Sequence, residues 1–296
     1  MQPPSRRCES AKGTDMSSTA QPSNGTVSYS VERDAAGDVA TVTLNRPETL
    51  NSMNDEFMND ITEAFGMVAA DGNVRAVVLT GAGRGFCSGA DLRNAAAGDA
   101  EGFDAAAAGE ATTDSMDNAF HPAIRAVAEC PVPTVARING VTAGGGIGLA
   151  LSCDVAIAAR SAFFVATFGP RLGIVPDLGT TWQLPMRVGR ARALGMSLLG
   201  ERVTADQAAE WGLVWKTVDD AELDGAVAQV VDVLRRSSPA AMARIRSAID
   251  GAMQRDLSDQ LDVEMGHQAV LIPQNMAHGA EAFLAKTDPS FPGNRY

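Results

Sequence analysis

Three short runs of mainly apolar residues, each accompanied by a glycine-containing turn and a helix pattern, restrict the possible folds of this chain most. They cover residues 74–79, 132–138 and 154–158. Nearly uninterrupted apolar runs of this length are typical of strands that are buried on both faces of a parallel sheet. The order of strand, glycine turn and helix repeats without a long linker between the units. The sequence therefore predicts an α/β fold in one continuous domain.

The two ends of the chain differ from this central part. Residues 1–25 are rich in Ser, Pro, Gly and Thr and lack apolar periodicity, which predicts a disordered tail. Residues 26–200 form the predicted core, which opens with two short strands within 27–44 and a helix over 54–70. Residues 201–296 are predicted to be helical. Their helix patterns cover 204–210, 221–236, 239–253 and 275–286.

The charge balance and the hydropathy exclude several classes of partner. The chain has 24 Lys and Arg residues against 36 Asp and Glu residues, a net charge of −12, and no dense basic block. Because binding to a phosphate backbone requires a basic face, we expect no nucleic-acid partner. A small anionic ligand is compatible with these numbers, since a local basic pocket does not show in a global sum. No run of about 18 apolar residues occurs, so we expect no membrane partner.

Targeting and metal-binding signals are weak. No apolar segment of the kind found in signal peptides follows Arg6 and Arg7, so we expect a cytoplasmic location. The four cysteines contain no CxxC spacing, and the three histidines contain no HExxH spacing. We therefore expect no metal site.

Two glycine-rich segments follow predicted buried strands, at residues 80–92 and at 144–146. The first does not match a dinucleotide-binding fingerprint, because Phe86 stands where the last glycine is required. Glycines let a ligand approach the backbone closely, and a helix that starts after the second segment offers unsatisfied N–H groups. Two such N–H groups that converge on one oxygen atom form an oxyanion hole. The alternative is that these glycines only permit tight turns and close packing.

Five motifs occur in a fixed order along the chain. They are Asn45-Arg46-Pro47 with Leu50-Asn51, the segment from Arg84 to Leu92, the segment from Ile138 to Gly146, the segment from Gly173 to Asp177, and Leu184-Pro185. In sequence and spacing they resemble the crotonase superfamily, the enoyl-CoA hydratases and isomerases. Residues 204–212 and the Ala282-Phe283-Leu284 segment with Lys286 extend the resemblance, which covers about residues 27–290.

The resemblance implies a spiral of ββα units followed by a helical C-terminal region that forms trimers. It also implies an acyl-CoA thioester as substrate, a homotrimer or a dimer of trimers, and no cofactor besides the coenzyme A of the substrate. The oxyanion-hole donors carried over from the family are the N–H groups of Ala90 and Gly145. They would hold the thioester oxygen as it becomes an enolate.

Further substrate-binding positions follow from the same resemblance. Arg46, Thr49 and Leu50 lie where the family contacts coenzyme A. The remaining substrate-binding positions are Ser88, Ala90, Asp91, Leu92, Gly144, Gly145, Phe283 and Lys286. Asp91 is also interpreted as structural, since the family commonly keeps an Asp there without a chemical role. Phe163, Phe164 and Phe168 are interpreted as core residues or as walls of the acyl pocket.

The chain departs from the hydratases of this family at two positions. Gly148 and Gly169 stand where those enzymes carry the glutamates that hold and activate water. Addition of water needs a positioned base and acid. The two glycines therefore place standard hydratase chemistry in doubt.

One carboxylate remains at a position that some isomerases of the family use. Asp177 follows Pro176, and burial in an apolar pocket would raise its pKa toward the working range. We predict that Asp177 takes a proton from the α or γ carbon and returns it elsewhere. The alternative is that it caps a helix that begins near Thr180 or only stabilises a turn. If Asp177 is not the base, Glu110 or Asp114 would replace it, in a segment (94–117) predicted to be a mobile loop or a loose helix.

The predicted function is isomerisation of an enoyl-CoA double bond, or a related ring or enolate isomerisation, with Ala90, Gly145 and Asp177 as the catalytic residues. Two alternatives stay open. One is hydration of a 2-trans-enoyl-CoA. The other is an acyl-CoA-binding homologue with little catalytic activity, because both family glutamates are glycine here.

Overall fold

The computed structural model describes residues 21–91 and 105–291 of the 296-residue chain. Most of the predicted tail lies outside the described residues, as does the first part of the segment predicted as a mobile loop or a loose helix. The described part of that segment contains a helix. The predicted domain boundary near residue 200 stays a prediction.

The larger sheet contains the three strands that the apolar runs predict. Its strands are β1 (Val27–Glu32), β2 (Asp38–Leu44), β3 (Val74–Gly81), β5 (Thr134–Ile138), β7 (Val155–Ala159) and β10 (Lys216–Val218). They lie in the order β1-β2-β3-β5-β7-β10. The first pair is antiparallel, with Val27 opposite Leu44, and every other pair is parallel. The α/β class is thus confirmed.

A smaller sheet runs beside the glycine-rich segments. Its strands are β4 (Gly85–Cys87), β6 (Val141–Ala143), β8 (Phe163–Val165) and β9 (Val203–Thr204), in the order β4-β6-β8-β9. No pattern in the sequence predicts these strands, because two or three residues are too few to show an alternation.

The helices complete a repeated order of two strands and one helix. Helix α1 (Asp55–Ala70) follows β1 and β2. Helices α2 (Ala105–Ser115) and α3 (His121–Ala128) follow β3 and β4. Helix α4 (Gly145–Leu151) follows β5 and β6, and helix α5 (Thr180–Leu199) follows β7 and β8. This is the ββα order of the crotonase fold, and it confirms the predicted fold class.

The main core packs the apolar faces of these units together. Phe57, Ile61 and Phe65 recur on one face of α1 and are almost completely buried, as are Leu79 on β3 and Phe86 on β4. Burial of this apolar surface is the main favourable contribution to folding. It also holds the start of the loop after β4 in place, because Phe86 belongs to this core.

Four helices follow in the C-terminal region. They are α6 (Ala205–Trp211), α7 (Leu223–Arg236), α8 (Pro239–Ala252) and α9 (Leu257–Ala285). Helix α9 is longer than the predicted helix 275–286, because it begins at the Asp256 cap and continues through Pro273. Much of the apolar surface of α9 is exposed. The exposed residues include Leu257, Leu261, Met265, Met276, Phe283 and Leu284.

Candidate active site

A cavity of about 90 Å³ lies where the loop after β4, the start of α4 and the segment after β8 meet. The three predicted catalytic residues, Ala90, Gly145 and Asp177, all line this cavity. The predicted substrate-binding residues Ser88 and Gly144 line it as well. The fold therefore brings together residues from three separate motifs.

The loop that carries Ala90 is held on both sides by main-chain hydrogen bonds. The Met53 N–H donates to the Gly89 carbonyl at 2.8 Å, and the Asp91 N–H donates to the Met53 carbonyl at 2.8 Å. Gly89 has a φ of 90°, and a Cβ atom there would lie 2.9 Å from the Ala143 carbonyl oxygen. Among the described residues, the N–H of Ala90 donates to no protein acceptor. This N–H is available to a ligand in the cavity.

Gly145 is the first residue of α4, where helical N–H groups have no acceptor within the helix. The preceding Gly144 has a φ of 51°, and its N–H donates to the Val165 carbonyl at 3.0 Å. Gly144 therefore ties the start of α4 to β8 and leaves the Gly145 N–H without a protein acceptor in the described part of the chain. Within residues 21–91 and 105–291, neither predicted oxyanion-hole donor thus has a protein acceptor, and both residues line one cavity.

The carboxyl group of Asp177 is half-buried in the same cavity. Its Oδ1 atom is buried and has no hydrogen-bond partner among residues 21–91 and 105–291. Burial raises the pKa of Asp177, and the backbone N–H of Asp177 and the charge of His121 oppose this effect only in part. A carboxyl group with a raised pKa holds its proton more strongly than an ordinary aspartate, as a group that accepts a proton from a substrate must.

The Asp177 side chain does not cap α5. The cap residue is Gly179, and no side chain accepts a hydrogen bond there. Asp177 contributes only its main-chain carbonyl, which accepts from the Thr180 N–H at 2.8 Å. The alternative interpretation of Asp177 as a side-chain cap is therefore wrong.

Arg46 and Asp91 form an ion pair beneath the Ala90 loop. The Arg46 Nη2 atom lies 3.0 Å from Asp91 Oδ2, and the two side chains are 13% and 11% exposed. The Ser52 hydroxyl donates to the same oxygen at 3.2 Å, and Arg46 also donates to the Ser52 carbonyl. This arrangement supports the structural interpretation of Asp91. The predicted contacts of Arg46 and Asp91 with the substrate stay predictions.

A sequence model of enoyl-CoA hydratase/isomerase proteins matches residues 34–294. The chain belongs to the enoyl-CoA hydratase/isomerase family. The predicted membership of the crotonase superfamily is confirmed, and enzymes of this family act on acyl-CoA substrates.

Several members of the family are similar over most of their length. The 1,2-epoxyphenylacetyl-CoA isomerase of Escherichia coli is 41% identical over 256 residues, which cover 86% of this chain and 95% of that protein. A probable enoyl-CoA hydratase of Rhodobacter capsulatus is 37% identical, with 90% and 98% covered. A solved structure of an enoyl-CoA hydratase from Polaromonas sp. JS666 has a TM-score of 0.79 at 30% identity, with 88% and 99% covered.

The two positions that hold glycine instead of the family's glutamates are closely packed. At Gly148, a Cβ atom would overlap the main-chain carbonyl of Leu178. At Gly169, a Cβ atom would lie 3.0 Å from the Ser197 carbonyl oxygen. A side chain at position 148 is therefore excluded unless the segment that carries Asp177 moves.

The short helix Pro47–Thr49 and the two residues after it support the loops around the cavity. The Ser88 N–H donates to the Leu50 carbonyl and the Ser88 hydroxyl to the Thr49 carbonyl, both at 3.0 Å. Asn51 is buried in a left-handed conformation with a φ of 57°. Its amide donates to three main-chain carbonyls, those of Ala82, Gly85 and Phe86.

Several predicted site residues are not part of the cavity wall. Leu92 lies outside the described residues. Phe283 and Lys286, at the end of α9, do not line the cavity in this chain, and Phe283 is 82% exposed. Glu110 and Asp114 are exposed on α2 and do not line it either. Among the described residues that line the cavity, Asp177 is therefore the one that carries a carboxylate.

Most of the apolar wall of the cavity is not recognisable in the sequence. Phe168 lines the cavity, which agrees with its interpretation as a wall of the acyl pocket. Phe164 is part of the main core, and the Phe163 ring lies under the Arg202 guanidinium. The lining residues that no sequence pattern singles out are Met53, Phe120, Thr167, Leu172, Ile174 and Leu178. They come from separate elements and only the fold brings them together.

The described part of the chain contains neither a candidate metal site nor a membrane-spanning helix. No group of three His, Cys, Asp or Glu side chains there could hold a metal ion. No helix among those residues is long and apolar enough to cross a membrane.

Proposed function

We propose that this protein isomerises an enoyl-CoA thioester, with Ala90 and Gly145 as the oxyanion hole and Asp177 as the proton carrier. One observation carries the proposal. In the described part of the chain, a carboxyl group with a buried oxygen atom that lacks a partner lines the same cavity as two main-chain N–H groups without a protein acceptor. This combination fits a reaction that forms an enolate and moves a proton.

The proposed reaction needs two proton transfers and no water. The Asp177 carboxylate removes a proton from the α or γ carbon, and the electrons of that C–H bond move toward the thioester carbonyl. The N–H groups of Ala90 and Gly145 stabilise the negative oxygen that results, and one such donor is typically worth about 3 to 4 kcal/mol. Asp177 then returns the proton to a different carbon, and the double bond has moved.

The related proteins support two outcomes. The 1,2-epoxyphenylacetyl-CoA isomerase of Escherichia coli supports an isomerase, including one that acts on a ring. The probable hydratase of Rhodobacter capsulatus supports hydration as the second candidate. We favour isomerisation because glycine occupies both glutamate positions and the site at Gly148 has no space for a side chain.

We further propose a homotrimer or a dimer of trimers. The exposed apolar residues of α9 support this proposal, because apolar patches of this kind often mark protein interfaces. The predicted cytoplasmic location and the absence of a cofactor besides the coenzyme A of the substrate stay predictions.

Incubation of the protein with 2-enoyl and 3-enoyl thioesters of coenzyme A separates the candidates. Interconversion of the two thioesters supports isomerisation, and formation of a 3-hydroxyacyl thioester supports hydration. Binding without turnover of either thioester would support an acyl-CoA-binding homologue and would contradict both enzymatic proposals. The epoxide of an arylacetyl thioester extends the same assay to ring substrates.

A further inference from the structure

Leu178 lies between Asp177 and the start of α5 in an unfavourable backbone conformation. Its φ of 50° is in the left-handed region, although it is a leucine. This conformation costs a residue with a Cβ atom about 1 to 2 kcal/mol. The side chain is only 4% exposed, so the surrounding structure holds it in place. Such strain persists where the rest of the fold determines it, and it is common at functional sites.

Leu178 contacts α4 at two positions that lie on one face of that helix. Its Cδ1 atom is 2.7 Å from the place that a Cβ atom of Gly145 would occupy. Its main-chain carbonyl lies where a Cβ atom of Gly148 would be. Positions three residues apart are neighbours on a helix, so both contacts fall on the same side of α4. One of these positions carries a proposed oxyanion-hole donor.

The residues on either side of Leu178 form a turn. Asp177 accepts a hydrogen bond from the Thr180 N–H through its main-chain carbonyl, at 2.8 Å. Gly179, the cap residue of α5, has a φ of 77°. Two successive left-handed residues therefore reverse the chain between Asp177 and α5. The reversal leaves the Asp177 carboxyl group in the cavity wall and Leu178 on α4.

We propose that Leu178 is a positioning residue that sets the distance between the Asp177 carboxyl group and the oxyanion hole. It does so because its side chain and its main-chain carbonyl both contact α4, the helix that supplies the Gly145 N–H. The inference rests on the proposed function, in which Asp177 moves the proton. A small error in this distance is costly, since misplacement by about 1 Å can lower a rate about 10²-fold.

The first test compares Leu178→Gly with Leu178→Met on a 3-enoyl-CoA substrate across pH. Glycine removes the contact with Gly145 and frees the turn, whereas methionine keeps a side chain of similar volume. We expect Leu178→Gly to lower kcat about 10²-fold. Its acid limb in kcat/KM should move to lower pH, because a better hydrated carboxyl group loses the rise in pKa that burial causes. Leu178→Met should keep the wild-type rate and acid limb.

The second test reaches the same turn from α4 and does not depend on the folding of Leu178→Gly. In Gly148→Ala, the new methyl group must displace the Leu178 carbonyl, so we expect the same loss of kcat and the same shift of the acid limb. Gly195→Ala is the matched control. It adds a methyl group on α5 at a position where no described atom outside the helix's own backbone lies within 4 Å, and it should keep the wild-type rate.

Asp177→Asn, measured in parallel, separates the two proposals. If Asp177→Asn loses its rate while Leu178→Gly and Gly148→Ala keep theirs, the positioning role is wrong and the proposed function stands. A lower kcat with an unmoved acid limb in both variants would indicate general damage and would also overturn the positioning role. If Asp177→Asn keeps its rate, both proposals are wrong.

Discussion

At the scale of single residues, the burial that raises the pKa of Asp177 also lowers the stability of the folded state once the carboxyl group ionises. Its buried oxygen atom has no partner in the described structure, and burial raises the pKa of the carboxyl group. Between the unfolded-state pKa and the raised folded-state pKa, the carboxyl group is therefore protonated in the folded state and ionised in the unfolded state. As the pH rises above the ordinary aspartate pKa of about 3.9, this group contributes less and less to stability until the folded-state pKa is passed.

Replacement of Asp177 by Asn removes this titration. We expect Asp177→Asn to have a higher melting temperature than the wild type at neutral pH, and the difference to shrink as the pH falls toward 4. Thermal unfolding at a series of pH values measures it. A wild type that gains stability over the variant as the pH rises would show that the carboxylate is stabilised, not penalised, by its surroundings.

Gly145 offers a direct test of the oxyanion hole, because it is the first residue of α4. Proline is tolerated at this helix position, where the N–H group has no acceptor within the helix. Gly145→Pro therefore deletes one donor with little loss of helix hydrogen bonding. Gly145→Ala is the matched control, since it adds a Cβ atom against Leu178 but keeps the N–H.

We expect Gly145→Pro to turn over its substrate about 10² to 10³ times more slowly than Gly145→Ala. Steady-state kinetics of the two purified variants measure this ratio. Equal rates in two folded variants would exclude the Gly145 N–H as an oxyanion-hole donor.

At the scale of structural elements, the Arg46–Asp91 pair joins the short helix before α1 to the loop after β4. Loss of one partner leaves a charge that is nearly buried and unpaired. We expect Asp91→Asn to lower the free energy of unfolding by about 3 kcal/mol, as measured by urea unfolding at a fixed protein concentration.

The exposed pair of Arg160 and Asp206 serves as the control for this variant. Its side chains are more than half exposed, so Asp206→Asn should cost at most about 1 kcal/mol. Equal losses for Asp91→Asn and Asp206→Asn would mean that the Arg46–Asp91 pair does not hold the Ala90 loop.

The sequence predicts the elements that have a long enough pattern. The apolar runs locate β3, β5 and β7, and the amphipathic pattern locates α1. The strands of the smaller sheet are missed because two or three residues cannot show an alternation. The start of α9 is missed because Pro273 resembles a helix break, although the helix continues through it.

At the scale of the whole molecule, the site is only partly predictable for a different reason. Ala90, Gly145 and Asp177 belong to local motifs, and each can be located without the fold. The walls formed by Met53, Phe120 and other apolar residues depend on which elements become neighbours. The tight packing of Gly148 against Leu178 likewise links two segments that are distant in the sequence, and no local pattern indicates it.

The exposed apolar surface of the C-terminal helices supports the proposed trimer. Ile245, Ile249 and Met253 on α8 are exposed as well as the apolar residues of α9. Burial of such surface between subunits would make the isolated monomer less stable than the assembly. We expect light scattering to give a mass of three chains or a multiple of three. A monomer at micromolar concentration would contradict this prediction.

The central claim is that Asp177 moves the proton, and the kcat of Asp177→Asn on 3-enoyl-CoA tests it most directly. Asn keeps the size of the side chain but cannot accept the proton. We predict a kcat about 10² to 10⁴ times lower than that of the wild type. The affinity for the product thioester should be nearly unchanged, because the oxyanion hole remains. An unchanged kcat would contradict the account and would leave the reaction without its base.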